Sequence, residues 1–126
     1  MNDGNKQKPA GTLFILSAPS GTGKTTLAGR LVKLVQDLVI SRSYTSRASR
    51  AEERDGVDYN FVSRQQFEKM IDKKEFLEWA EIFGELYGTT LNNVERELAN
   101  GRSALLVINV EGARQLMDRG YEVVKI

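Results

Sequence analysis

Apolar positions fall into two rhythms along the chain, and the switches between them mark its elements. Leu13-Phe14-Ile15-Leu16 is a continuous apolar run, the pattern of a strand covered on both faces in a parallel sheet. From Lys24 onward Leu27, Leu31, Leu34 and Val35 recur at helical spacing, which predicts a helix resting one side on that sheet. Between Ser41 and Gly56 the chain is polar and arginine-rich without a clear period, and Tyr59-Asn60-Phe61-Val62 then alternates like a half-buried strand. Ser63 followed by Gln66 has the form of a capping box, and Phe67, Met70 and Ile71 put an apolar stripe on a helix expected to end near Lys74. Phe76 to Phe83 reads as a strand, and Leu91, Val94 and Leu98 as a helix stopped at Gly101. Ser103 to Val110 reads as a buried strand. Ala113, Leu116 and Met117 predict a last helix closed by Gly120, and Val123-Val124-Lys125-Ile126 begins a further strand. On pattern alone, Glu78 faces solvent from its strand and Tyr87-Gly88-Thr89 forms a turn. There are no internal repeats.

Composition narrows the chemistry. With 126 residues, 40% hydrophobic and 28% charged, the chain fits one compact soluble domain, and no apolar run approaches the roughly 20 residues that span a bilayer. Residues 1–10 are polar, lack the apolar block of a secretory signal and read as a disordered tail. The absence of both cysteine and histidine excludes disulfides, thiolate nucleophiles, His-based acid–base chemistry and most transition-metal sites. A cytoplasmic location is expected. A formal charge of +1 gives no global pull toward nucleic acid or membrane, so neither is expected as a partner and no protein partner is implied.

The strongest local signal is Ala18-Pro19-Ser20-Gly21-Thr22-Gly23-Lys24-Thr25, which matches the phosphate-binding loop pattern with alanine in place of its first glycine. Gly21 and Gly23 allow successive backbone N–H groups to point at a phosphate, reinforced by the positive end of the following helix. The expected ATP phosphate contacts are Ser20, Gly21, Thr22, Gly23, Lys24, Thr25 and Thr26. Lys24 would reach the β- and γ-phosphates, and the Thr25 hydroxyl would ligate the Mg²⁺ that accompanies ATP. A Gly-rich turn before an ordinary helix is the plain alternative; the strand before and the amphipathic helix after favour the phosphate loop.

Arg42, Arg47, Arg50 and Arg54 crowd into the next segment, with Tyr44 and Tyr59 nearby. Arginine forks bind phosphate oxygens in pairs and would cancel the repulsion between two nucleotides brought together for transfer. Taken alone, the cluster reads first as a solvated basic loop, with an RNA-binding patch as a second alternative.

Here the residues match a known pattern. Ser43-Tyr44-Thr45-Ser46-Arg47, Arg50, Glu53, Gly56 and Asp58-Tyr59-Asn60-Phe61-Val62-Ser63 resemble the guanylate kinase signature stretch, and Phe76-Leu77-Glu78-Trp79-Ala80 and Tyr87-Gly88-Thr89 continue the resemblance in order and spacing. The resemblance runs from about Leu13 to Ile126. It implies an α/β fold: a P-loop NTPase-type parallel sheet with flanking helices and an inserted GMP-binding α+β subdomain, truncated at the C-terminus. Residues 11–40 would form the core with the phosphate loop, 41–90 the GMP-binding subdomain, and 91–126 the return to the core. The implied activity is transfer of the γ-phosphoryl group of ATP to GMP, giving ADP and GDP, with ATP and GMP as small-molecule substrates.

By the same resemblance Arg47, Arg50, Tyr59 and Tyr87 hold the GMP phosphate, while Ser43, Glu78 and Thr89 face the guanine. The types suit the task, because guanine offers neighbouring N–H donors at N1 and N2 to a Glu78 carboxylate, and Thr89 can donate to O6. The GMP phosphate is mostly dianionic near neutral pH, its second pKa being about 6, so no general base is needed. Catalysis would rest on Lys24 at the transferring group with Arg47 and Arg50 aligning the acceptor.

The sequence also departs from the family. Leu106-Val107-Ile108-Asn109-Val110-Glu111-Gly112 stands where two aspartates and a glutamine are usual, at positions 107, 109 and 111. Asn109 keeps an amide oxygen and is retained among the expected GMP contacts, with a weaker hold on a cation or arginine than a carboxylate would have. Glu52 and Glu85 replace the usual glycine and asparagine and read as surface changes. The family continues past the last strand into a lid with further arginines, so the chain is expected to be a front part that binds GMP more readily than it turns it over. The alternative function is a catalytically weakened guanylate-kinase-like module that binds GMP or a phosphorylated partner; the retained Gly23-Lys24-Thr25 favours the enzyme.

Overall fold

A computed structural model of the protein describes residues 11–17 and 24–126, apart from the side chains of residues 24 and 25. The tail expected over residues 1–10 lies outside them, as do Ala18, Pro19 and the loop residues Ser20, Gly21, Thr22 and Gly23. The described chain forms β1 (Leu13–Ser17), α1 (Lys24–Leu34), β2 (Leu38–Ile40), β3 (Tyr44–Thr45), β4 (Asn60–Phe61), α2 (Arg64–Asp72), β5 (Phe76–Ile82), β6 (Glu85–Thr90), α3 (Leu91–Ala99), β7 (Ser103–Ile108), α4 (Val110–Asp118) and β8 (Val123–Lys125). No described helix is long and apolar enough to cross a membrane.

The first sheet is parallel, in the order β2-β7-β1-β8. Its continuous apolar runs follow from burial on both faces. Leu13 and Ile15 join Ala104, Leu106 and Ile108 in a cluster with Val94, Ala113 and Leu116 of α3 and α4, whereas Phe14 and Leu16 join Leu105 and Val107 in a second cluster with Ala28, Leu31 and Val32 of α1. Period-two alternation sorts neighbouring residues to opposite helical layers, so both must be apolar.

The second sheet is mixed, in the order β4-β3-β6-β5, and α2 covers it through its own cluster of Phe67, Met70, Phe76 and Leu86. The Phe67 and Phe76 rings stack with centroids 4.4 Å apart. At the entry to α2 the Ser63 hydroxyl accepts the Gln66 N–H at 3.0 Å, as the capping pattern requires. Gly101 and Gly120 follow α3 and α4 with φ of 80° and 86°, the left-handed region in which a glycine ends a helix at little cost.

Several boundaries differ from the sequence pattern. The strand expected through Phe83 ends at Ile82, because Phe83 and Gly84 both take positive φ in the two-residue hairpin loop joining β5 to β6. The strand expected through Val110 ends at Ile108, since Asn109 caps α4 and Val110 is its first residue. The stretch 59–62 is a strand only over Asn60–Phe61. Tyr87-Gly88-Thr89 lies inside β6 rather than in a turn, and the pattern did not announce β2 or β3.

Candidate active site

Glu78 is the buried carboxylate of the second sheet, at 4% exposure, and this corrects the solvent-facing position that its strand pattern suggests. The cause is a register shift between Phe76 and Glu78, where two steps along β5 face one step along β6. Such a bulge inserts an extra residue and re-aims its neighbours. Phe76, Leu77 and Glu78 are consequently all buried: Phe76 in the cluster under α2, Leu77 in the core cluster with α4, and Glu78 between them.

Glu78 pairs with Thr89 across the β5–β6 ladder. Burial pushes the Glu78 carboxyl up to about 7, with the Thr89 hydroxyl and amide pulling it part of the way back. The Thr89 hydroxyl is itself buried and makes no full hydrogen bond to a described residue. The two polar groups thus face each other, and the hydroxyl lacks the full hydrogen bond that buried polar atoms ordinarily find. Gly112 of α4 closes the other side, so tightly that a Cβ there would overlap the Glu78 carboxylate.

Asn109 sits next to this group in a role that sequence reasoning did not assign. Its side-chain oxygen accepts the Gly112 N–H at 2.8 Å as the N-cap of α4, so the amide oxygen expected to face a ligand also holds the start of the helix, with one lone pair used there. The other family positions separate in space. Val107 packs in the apolar cluster beneath α1, and Glu111 is exposed, 3.9 Å from Arg114. Glu52 is exposed as expected, but Glu85 is not a plain surface change: it accepts the Ser46 hydroxyl at 3.0 Å, and Ser46 in turn accepts the Leu86 N–H at 2.9 Å.

The arginine segment is organised by Glu53. Arg47 Nη1 and Nη2 each donate to one Glu53 oxygen at 2.9 Å, and the Arg50 backbone N–H donates to the same carboxylate at 2.8 Å. The hydrogen-bonded Arg47 fork holds the Glu53 carboxyl down at about 2, while Glu53 raises Arg47 above the usual guanidinium range. Arg47 also lies 5.3 Å over the Tyr59 ring, and the Tyr59 and Tyr87 rings are 5.9 Å apart. Burial pushes the Tyr59 hydroxyl upward, which keeps it a neutral donor. Neither Glu53 nor Ala48 takes the Nε and outer Nη2 hydrogens of Arg47, so that edge of the fork, close to the Tyr59 and Tyr87 hydroxyls, is left for an anion.

Of the expected site residues, Arg47, Tyr59 and Tyr87 are therefore brought together, as are Glu78 and Thr89, with Asn109 beside the latter pair. Ser43 is half-buried at the start of β3, its carbonyl accepting the Asn60 N–H at 2.8 Å. Arg50 is exposed and Thr26 lies exposed on α1. Lys24 and Thr25 begin α1, and their side chains lie outside the described residues. Sequence reasoning did not single out Glu53 or Gly112 as site residues. A carboxylate six residues after Arg47 within a basic run was the available signal for the first, and nothing local signals the second.

Comparison with known proteins identifies the family. The family model described as guanylate kinase matches residues 10–126. The guanylate kinase of Nitrosospira multiformis is 51% identical over 106 residues, covering 84% of this chain and 50% of that protein. Those of Geobacter sulfurreducens and Myxococcus xanthus are 48% and 44% identical, covering 89% and 97% of this chain and 55% and 58% of theirs. The crystal structure of guanylate kinase from Anaplasma phagocytophilum superposes with a TM-score of 0.79 at 39% identity, over 94% of this chain and 60% of that one. The chain thus spans about half the length of the curated relatives it matches. With the match reaching across both sheets and every described element, this chain belongs to the guanylate kinase family.

Proposed function

We propose that the chain carries the nucleotide core and the GMP-binding part of an ATP:GMP phosphotransferase. The observation that carries the reading is the buried Glu78–Thr89 pair. A carboxylate raised by burial to about 7 with no described cation beside it, facing a buried hydroxyl that makes no full hydrogen bond, is costly unless a ligand completes both. Guanine does so: its N1 and N2 hydrogens reach the two carboxylate oxygens and its O6 accepts from Thr89. Adenine presents an acceptor at N1 and would be repelled.

In this reading Arg47 grips the GMP phosphate with its free edge while Glu53 holds the opposite edge, and Arg50, Tyr59 and Tyr87 complete the hold, with Ser43 and Asn109 toward the base. Ser20, Gly21, Thr22, Gly23, Lys24, Thr25 and Thr26 hold the ATP phosphates. A GMP phosphate oxygen then attacks the γ-phosphorus in line, the bond to the β–γ bridging oxygen breaks, and ADP and GDP result. Lys24 offsets the charge on the transferring group.

The described residues contain no cluster of acidic groups that could cage a metal, and Val107 packs in the core where the family usually has a carboxylate. That donor chemistry fits an Mg²⁺ that arrives already bound to ATP phosphates, with Thr25 as its protein ligand. When bound, the ion neutralises charge on the β- and γ-oxygens. A cytoplasmic site for the reaction is part of this reading, since ATP and GMP are both available there.

Two measurements test the proposal. Calorimetry should detect GMP binding to this chain, and an ADP-release assay on a version continued to the length of its relatives should respond to GMP and not to AMP or UMP; phosphorylation of none of the three would end the enzyme reading. Arg47→Lys keeps the charge but not the planar fork, and is expected to weaken GMP binding by about tenfold. Unchanged affinity would place the phosphate elsewhere.

A further inference from the structure

β5 is an edge strand, yet its backbone around Glu78 is not open. The Gln115 side-chain amide acts there as a surrogate strand, accepting the Trp79 N–H at 3.0 Å and donating to the Trp79 carbonyl at 2.6 Å. Arg119 donates through Nη1 to the carbonyls of Phe76, at 3.2 Å, and of Leu77. Four backbone groups that flank Glu78 on both sides are thus held by two side chains four residues apart, Gln115 on α4 and Arg119 at its C-cap. Gly112, three residues before Gln115, brings the same helix against the Glu78 carboxylate.

We propose that Gln115 and Arg119 are positioning residues for guanine selection: α4 clamps β5 on either side of Glu78 and sets where its carboxylate meets the base. This rests on the reading of Glu78 as the guanine acceptor. Three features favour it over simple protection of a sheet edge. The bonds gather at the bulge that aims Glu78, while Glu81 and Ile82 farther along the same edge receive none from α4 among the described residues. A cleft of about 250 Å³ opens along the contact, and Glu78, Gln115 and Arg119 border it together with apolar Ile71, Phe76 and Leu77, so the clamp and the carboxylate share one space. And α4 packs through Ala113 and Leu116 into the parallel-sheet core, so the clamp refers the base-reading carboxylate to the body that carries the phosphate loop.

The test compares GMP with inosine monophosphate, which lacks the 2-amino group and so offers Glu78 one N–H instead of two. Calorimetric affinities for both ligands are measured on the unmodified chain, on Gln115→Met, Arg119→Met and the double variant, and on Glu78→Gln. A carboxylate displaced from the base loses the second bond first, so the GMP preference should shrink by about tenfold in the double variant. A merely destabilised fold would lower the number of binding sites and leave the preference unchanged. Full preference in the double variant, or in the single variants where the double does not fold, overturns the clamp. Failure of the unmodified chain to prefer GMP would instead overturn the assignment of Glu78, and the clamp with it.

Discussion

Replacing Glu78 with glutamine is expected to raise the stability of the free protein at pH 8 while removing its preference for guanine. The carboxyl titrates from an ordinary 4.5 up to about 7 in the fold because it is buried. A group whose folded pKa is raised binds its proton more tightly in the folded state, so folding gains stability as pH falls from 7 toward 4.5 and loses it as pH climbs through the same window. At 1.36 kcal/mol per unit, the full penalty above pH 7 is about 3 kcal/mol. The urea midpoint of the unmodified protein should therefore be higher at pH 5 than at pH 8, and Glu78→Gln should flatten that slope. Glu53 works in the opposite sense and in another window: its carboxyl, held down at about 2, loses its contribution only below its ordinary 4.5. A comparison between pH 5 and pH 8 thus isolates Glu78. GMP requires the ionised carboxylate, so affinity should already fall between pH 7 and about pH 6, above the midpoint at which the GMP phosphate itself titrates, with proton release on binding. A pH-independent midpoint and affinity would show that the carboxylate is neither buried nor used as described.

Phe67→Ala should produce the largest loss of stability. Phe67 is fully buried, stacks on Phe76 and anchors α2 to a cluster with only three other buried members. Truncating a buried phenylalanine typically costs about 3–5 kcal/mol, from lost transfer energy and the cavity left behind. That is a large share of the 5–15 kcal/mol by which domains are usually stable. The second sheet carries Arg47, Tyr59, Glu78 and Tyr87 on or beside its strands, so GMP binding should fall with it. Gly88 adds to the sensitivity, since a Cβ there would lie 2.8 Å from the Phe76 ring. A loss below about 1 kcal/mol in urea denaturation would mean that α2 is not what holds the second sheet together.

Much of the fold was legible because its signals are local. Ser63 caps α2 as its spacing from Gln66 requires, Gly101 and Gly120 end helices where the apolar stripes stop, and the run Leu13 to Leu16 is the doubly covered strand it resembles. The arginine segment was legible as a candidate site, but its organisation was not, because nothing in the spacing says that Glu53 holds the side chain of Arg47 and only the backbone of Arg50.

The residues by themselves determined the helices with their stops, the apolar strands of the parallel sheet and the kinds of side chain available to bind nucleotides, since hydrogen bonds within a helix and alternation along a strand are written over a few neighbouring positions. Tertiary structure decided where Glu78 lies, that Tyr87 to Thr89 is a strand, and that Gln115 and Arg119 reach β5. Each of these depends on a partner tens of residues away or on a one-residue bulge, and a strand edge takes its burial from whatever packs against it.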